Sequence, residues 1–100
     1  MKLKVKAKAS GGVVKVKMLV KHQMETGRRK DKKGALIPAL HLTEIMAEYQ
    51  GSTVFSTEVG PGVSKDPFLA FYFKGAAGES LKISAIDTAG ETGVVDVTIK

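Results

Sequence analysis

The side chains that could do chemistry in this chain are few, and most of them fall in one short stretch. His22, Glu25 and Asp31, with the second imidazole at His41, are groups that could hold a metal or move a proton. The spacing of His22, Glu25 and His41 matches no metal-ligand pattern, and each suits a polar loop or strand end. Glu44 and Glu48 would share one strand face, which fits a solvated surface as well as an acid–base pair. The serines lack the G-x-S-x-G setting of an activated nucleophile. Gly60-Pro61-Gly62 is not followed by a helix start with Lys-Ser/Thr, so it is no phosphate loop. There is no cysteine, which excludes thiol catalysis, thiolate ligation and disulfides. The residues therefore predict no enzyme, no metal and no cofactor. Recognition is the chemistry left to them.

That reading centres on residues 22–33, HQMETGRRKDKK, a strongly charged segment in a chain that otherwise alternates apolar and polar residues. Compact domains seldom keep a long connection unless it binds something or is disordered. Arg28, Arg29, Lys30, Lys32 and Lys33 surround Glu25 and Asp31. Arginine pairs bidentately with carboxylate, so Glu25 or Asp31 can fold the segment on itself. Met24 adds a flexible apolar contact of the kind found on protein-binding surfaces. Gly27 and Gly34 let the chain turn sharply at both points. A solvated hairpin tip is the plainer alternative.

The elements that must position this segment read as strands. Period-two alternation sets Leu3, Val5, Ala7 and Ala9 against Lys2, Lys4, Lys6 and Lys8, and Gly11-Gly12 ends the run. Val14, Val16, Met18 and Val20 then point inward. Residues 39–50 are ambiguous, since Ala, Leu, Glu and Met favour helix. Ile45, Ala47 and Tyr49 nevertheless alternate with Glu44, Met46 and Glu48, and Gln50-Gly51 makes a turn into a strand with Thr53, Phe55 and Thr57 on one face. Residues 60–67, GPGVSKDP, are a loop. Phe68-Leu69-Ala70-Phe71-Tyr72-Phe73 is apolar on both faces, the pattern of a central strand covered twice. Leu81, Ile83 and Ala85 mark a further strand, and Val95, Val97 and Ile99 the last. About seven antiparallel strands in two sheets predict an all-β, immunoglobulin-like β-sandwich without the Cys-Trp-Cys core of antibody domains.

At 100 residues the chain is expected to be one domain. No run approaches the roughly 18 apolar residues of a membrane helix. The lysines at 2, 4, 6 and 8 interrupt any signal-peptide core, so no export signal is expected in this sequence. The net charge of +6 is unevenly divided: residues 1–34 carry +10 and residues 35–100 carry −4. Such asymmetry steers acidic partners, although surface lysines also guard edge strands against aggregation. A basic domain binding nucleic acid or another polyanion is the rival reading. Against it, residues 1–34 hold no Phe, Tyr or Trp on which bases could stack.

The charged stretch also carries a resemblance. Residues 22–34, with Ile37-Pro38 after them, closely resemble the H-P-M-E-T-G-x-R-K-D-x-x-G-x-x-I-P stretch of the SoxZ family. Residues 64–72, SKDPFLAFY, are similar to that family's S-x-N-P-Y-x-x-F-Y segment. Gln23 stands where the family usually has Pro, and Asp66 and Phe68 stand for Asn and Tyr. The resemblance spans essentially the whole chain and implies a single SoxZ-like domain over residues 1–100. It implies a non-catalytic subunit of a thiosulfate-oxidation carrier, paired in a heterodimer with a cysteine-bearing SoxY-like subunit whose arm carries sulfur intermediates to the pathway's enzymes. It further implies a periplasmic address reached by folded export with a signal-bearing partner. Candidate partner-binding residues are His22, Met24, Arg28, Arg29, Lys30 and Asp31 in the loop, and Phe68, Phe71 and Tyr72 in the aromatic run. Aromatics and Arg are the types most often found at interface hot spots.

Overall fold

Alternation along the sequence becomes seven antiparallel strands: β1 (Lys2–Ser10), β2 (Val13–Lys21), β3 (Leu42–Tyr49), β4 (Ser52–Glu58), β5 (Phe68–Lys74), β6 (Ser80–Asp87) and β7 (Thr92–Thr98). They are seen in a computed structural model that describes residues 1–60, 63 and 65–100. Pro61, Gly62 and Ser64, which belong to the expected 60–67 loop, lie outside the described residues. One sheet has the order β1-β2-β5 and the other β4-β3-β6-β7. Together they form the immunoglobulin-like β-sandwich expected from the strand pattern. The ambiguous stretch resolves as strand: β3 pairs with both β4 and β6, and its helix formers yield to ladder bonds on either side.

The core follows from period two. Val14, Val16, Met18 and Val20 of β2 are fully buried against Ile45, Ala47, Leu81 and Ile83 of the opposite sheet. Burying such a side chain is worth about 1.5–3 kcal/mol. Four aromatic rings close one part of the core. Phe55 stacks on Phe71 at 4.2 Å between centroids, and Tyr49 tilts against Phe73 at 5.0 Å. Gly75 lies beside them, where an added Cβ would come within 2.9 Å of Phe73 and 3.1 Å of Tyr49. At one border the sheets are laced together by Lys100, whose N–H donates to Ala7 O at 3.0 Å and whose O accepts from Ala9 N–H at 2.7 Å.

The aromatic run departs from expectation. β5 pairs only with β2, so it is an edge strand rather than a central one. Phe71 and Phe73 enter the core, whereas Phe68 is 61% exposed and Tyr72 63%. The apolar pattern on both faces was real, but this chain supplies a layer for one face alone. On that same outer face stand Lys2, Lys4, Lys6 and Lys8 of β1, Lys15, Lys17 and Lys21 of β2, and Lys74 of β5.

Candidate functional site

The charged segment leaves β2 at Lys21, returns to β3 at Leu42, and is a folded arm. Glu25 and Leu40 exchange backbone hydrogen bonds, Glu25 N–H to Leu40 O at 2.6 Å and Leu40 N–H to Glu25 O at 2.9 Å. Further out, Ile37 N–H donates to Arg29 O at 2.8 Å, and Asp31 N–H to Ala35 O at 2.8 Å. The arm is thus a narrow antiparallel ribbon. At its tip, Asp31 Oδ1 accepts the N–H groups of Lys33 (2.8 Å) and Ala35 (3.0 Å), a side-chain turn that Asp makes readily. Gly27 and Gly34 take φ of +85° and +81°, as the two sharp turns require. The molecule is elongated, with Cα extents of 54 × 20 × 17 Å and a radius of gyration of 15.5 Å, against ~13 Å for a compact chain of this length.

Arg29 closes the ribbon from one side. Its Nε and Nη2 donate to Glu25 Oε2 and Oε1 at 3.1 and 2.5 Å, a bidentate fork. The hydrogen bond and the charge of Arg29, with Lys65 nearby, hold the Glu25 carboxyl below the usual range against the opposing effect of burial. Of the two carboxylates that could have folded the segment, Glu25 does so through Arg29, and Asp31 does so through backbone amides.

The base of the arm is a buried hydrogen-bonded knot around His22. Its ring Nδ1 accepts the N–H of Met24 at 3.0 Å, so the ring proton sits on Nε2, 3.0 Å from Asp87 Oδ2. Asp87 Oδ1 accepts the N–H groups of Ala89 (3.0 Å) and Glu91 (2.9 Å), which fixes the β6–β7 turn. Burial pushes the Asp87 carboxyl up, but the His22 hydrogen bond and these amides outweigh it and leave it below its ordinary value. Met24, whose amide bonds the ring, adopts φ +51°, in the left-handed region. The Met24 side chain is buried, and its sulfur accepts Leu42 N–H at 3.4 Å. The backbone of His22 also bonds Asp66 twice: His22 N–H donates to the side-chain Asp66 Oδ1, and Asp66 N–H to His22 O, both at 2.9 Å. Asp66 has φ +51°, a conformation that Asp and Asn tolerate better than other side chains. The two stretches that carried the resemblance therefore meet at one end of the sandwich.

The candidate residues divide by environment. His22, Met24 and Phe71 are buried, their side chains committed to the domain itself. Arg28, Arg29, Lys30, Asp31, Phe68 and Tyr72 are exposed, with Arg29 and Asp31 engaged within the arm. Asp87 was not singled out in the sequence, although an Asp just before the turn residues Thr88–Glu91 is a local sign of such a capped turn. The His22–Asp87 pair has the look of an acid–base dyad. Its ring nitrogens are both occupied and both side chains are buried, so it orders the arm's base. Among the described residues, no three His, Asp or Glu side chains converge as a metal site.

A family model described as sulphur oxidation protein SoxZ matches residues 1–98. The chain belongs to the SoxZ family. Membership makes it a sulfur-oxidation subunit, and the knot at His22 and Asp66 is where the SoxZ-like motifs are joined. No curated protein sequence matches the chain. Among solved structures, the hypothetical protein PH1083 from Pyrococcus horikoshii OT3 superposes with a TM-score of 0.64 at 17% identity, covering 100% of this chain and 87% of that one. Two reduced variants of superoxide reductase (neelaredoxin) from Archaeoglobus fulgidus superpose with TM-scores of 0.61 and 0.57. They are 21% and 20% identical and cover 96% and 97% of this chain and 86% and 84% of theirs. At these identities the likeness is one of fold alone.

Proposed function

We propose that this SoxZ-family chain is the non-catalytic subunit of a periplasmic sulfur-carrier heterodimer, and that its cysteine-bearing SoxY-like partner seats against β5. The observation that carries the reading is the uncovered aromatic edge. An exposed, apolar edge strand is an aggregation hazard that natural proteins blunt with charge, bulges or a cover. The opposite edge of the same sheet, β1, is studded with lysine, while β5 offers Phe68, Ala70 and Tyr72 to solvent. Large aromatics at a sheet edge suit strand addition by a partner, with backbone bonds giving affinity and the rings giving specificity. Arg28 and Lys30, exposed on the arm, are the candidates for contact with the partner's sulfur-loaded segment or with anionic sulfur groups.

Co-expression with a SoxY-like partner should give a one-to-one complex on gel filtration at micromolar concentration. Phe68→Asp together with Tyr72→Asp should weaken that complex by more than about tenfold, since single hot-spot residues contribute about 2 kcal/mol or more. The isolated variant should stay folded, because both side chains are already exposed. Separate elution of the two wild-type chains would defeat the reading.

A further inference from the structure

Three pairs of lysines face each other directly across β1 and β2: Lys2 with Lys21, Lys6 with Lys17, and Lys8 with Lys15. Directly opposed like charges destabilise a sheet. Lysines placed only to guard an edge would stop at the edge strand β1. Here they continue onto β2, the middle strand, where no edge needs guarding. No acidic residue shares this outer face. Among the described residues, none of these lysines lies within ion-pair distance of a carboxylate. The fold therefore bears a repulsion that it does not relieve internally. Lys6, Lys8, Lys15 and Lys17, with Lys100, also border a concavity of about 530 Å³ whose lining is mostly apolar, so the charge rims a recess.

We propose that the outer face of β1 and β2 docks the carboxylate-rich surface of an enzyme acting on the sulfur-loaded complex, in a brief and salt-sensitive encounter. The inference rests on the carrier reading above and adds a second surface beside the aromatic edge. Lysine is depleted from the cores of lasting interfaces, which sets this face apart from the one at β5. Complementary charge outside such a core raises the association rate more than the affinity. That suits a carrier that must meet an enzyme, deliver and leave. The chemistry favours carboxylate over nucleic acid. All the charges are lysine ammoniums, without the planar arginine fork that reads phosphate and base edges bidentately. No aromatic ring stands among the β1 and β2 lysines, and the neighbouring Tyr72 has Lys15 Nζ over its ring, 5.8 Å from the centroid.

The test compares the wild-type complex with Lys6→Glu/Lys17→Glu and Lys6→Gln/Lys17→Gln complexes in a reconstituted thiosulfate-oxidation system. Turnover is measured against carrier concentration between about 0.05 and 0.3 M NaCl, over which the Debye length shortens markedly. For the wild type, KM for the carrier should rise on the order of tenfold with salt while kcat holds. The charge-reversed complex should begin at the high KM and show no further rise, with the neutralised complex between. All three should elute as intact heterodimers. An intact reversed complex with the wild-type KM and salt profile overturns the proposal and leaves the carrier reading standing. A reversal that splits the heterodimer also overturns it, because the face would then belong to the lasting interface. So does a reversal that abolishes binding to a short DNA duplex, or to phosphatidylcholine vesicles containing phosphatidylserine, while KM stays put. If the wild-type chains form no complex, the carrier reading fails first and this docking role falls with it.

Discussion

His22 and Asp87 hold the base of the arm, and the physics of a buried pair says what their loss should do. Removing one partner leaves the other desolvated and unpaired, so His22→Ala should lower the stability of the isolated chain by about 3 kcal/mol in urea unfolding. The pH dependence has a definite sign. The Asp87 carboxyl lies below its ordinary value when folded, so it adds stability above the unfolded carboxylate pKa, and that stability is lost as pH falls through the folded value. Asp87→Asn should therefore be less stable than wild type at neutral pH and lose less further stability on acidification. An unchanged acid limb would remove Asp87 from the account. The two arginines should separate as well. Arg29→Ala frees the ribbon from Glu25 and should raise amide exchange at Glu25 and Leu40, whereas Arg28, exposed and outside the fork, should leave exchange unchanged when replaced by Ala. The Arg29–Glu25 pairing and the turns at Gly27 and Gly34 were legible because their partners are near in sequence. The His22–Asp87 bond joins positions 65 residues apart, and no local spacing encodes it.

At the level of elements, the alternation in β1, β2, β6 and β7 declared both the strand and its buried face, because one side chain in two must leave water. β3 was harder, since its composition favours helix and only the alternation of Ile45, Ala47 and Tyr49 spoke for strand. β5 marks where local reasoning ends. Its apolar residues on both faces announce that both will be covered, but a sequence does not say whether the cover is the same chain. Two substitutions probe this level. Gly75→Ala should cost about 1–3 kcal/mol, because its Cβ would press on Phe73, Tyr49 and Val14 in a filled corner of the core. Lys6→Glu should do the reverse. It turns an opposed like-charge pair with Lys17 into an attractive one and should raise stability by about 0.2–1 kcal/mol. A substitution that strengthens the fold while weakening encounters with an enzyme would show that the lysines are retained for what they meet.

Across the whole molecule, charge is segregated: +10 in residues 1–34, which hold β1, β2 and most of the arm, against −4 in the remainder. Salt acts on this distribution in two directions. It weakens attraction in the Met1–Glu91 pair and in the Arg29–Glu25 fork, whose guanidinium is exposed, and it relieves repulsion in the lysine field of β1 and β2. Ion pairs with a solvent-exposed partner contribute little, and here the Arg29–Glu25 fork and the pairing of the Met1 ammonium with Glu91 stand against three directly opposed lysine pairs and their neighbours along each strand. Repulsion is the larger contribution, so added salt should stabilise the isolated chain. The urea midpoint should rise as NaCl is raised from about 0.05 to 0.3 M, with sodium chloride chosen because sulfate or phosphate would strengthen apolar burial as well. In Lys6→Glu the rise should shrink, since one of the three opposed pairs has become attractive. In the Lys6→Gln/Lys17→Gln chain it should shrink too, because that pair carries no charge. A midpoint that falls with salt in the wild type would mean that the lysines already find their counter-charges within the fold, and the case for an acidic surface docking there would lose its physical basis.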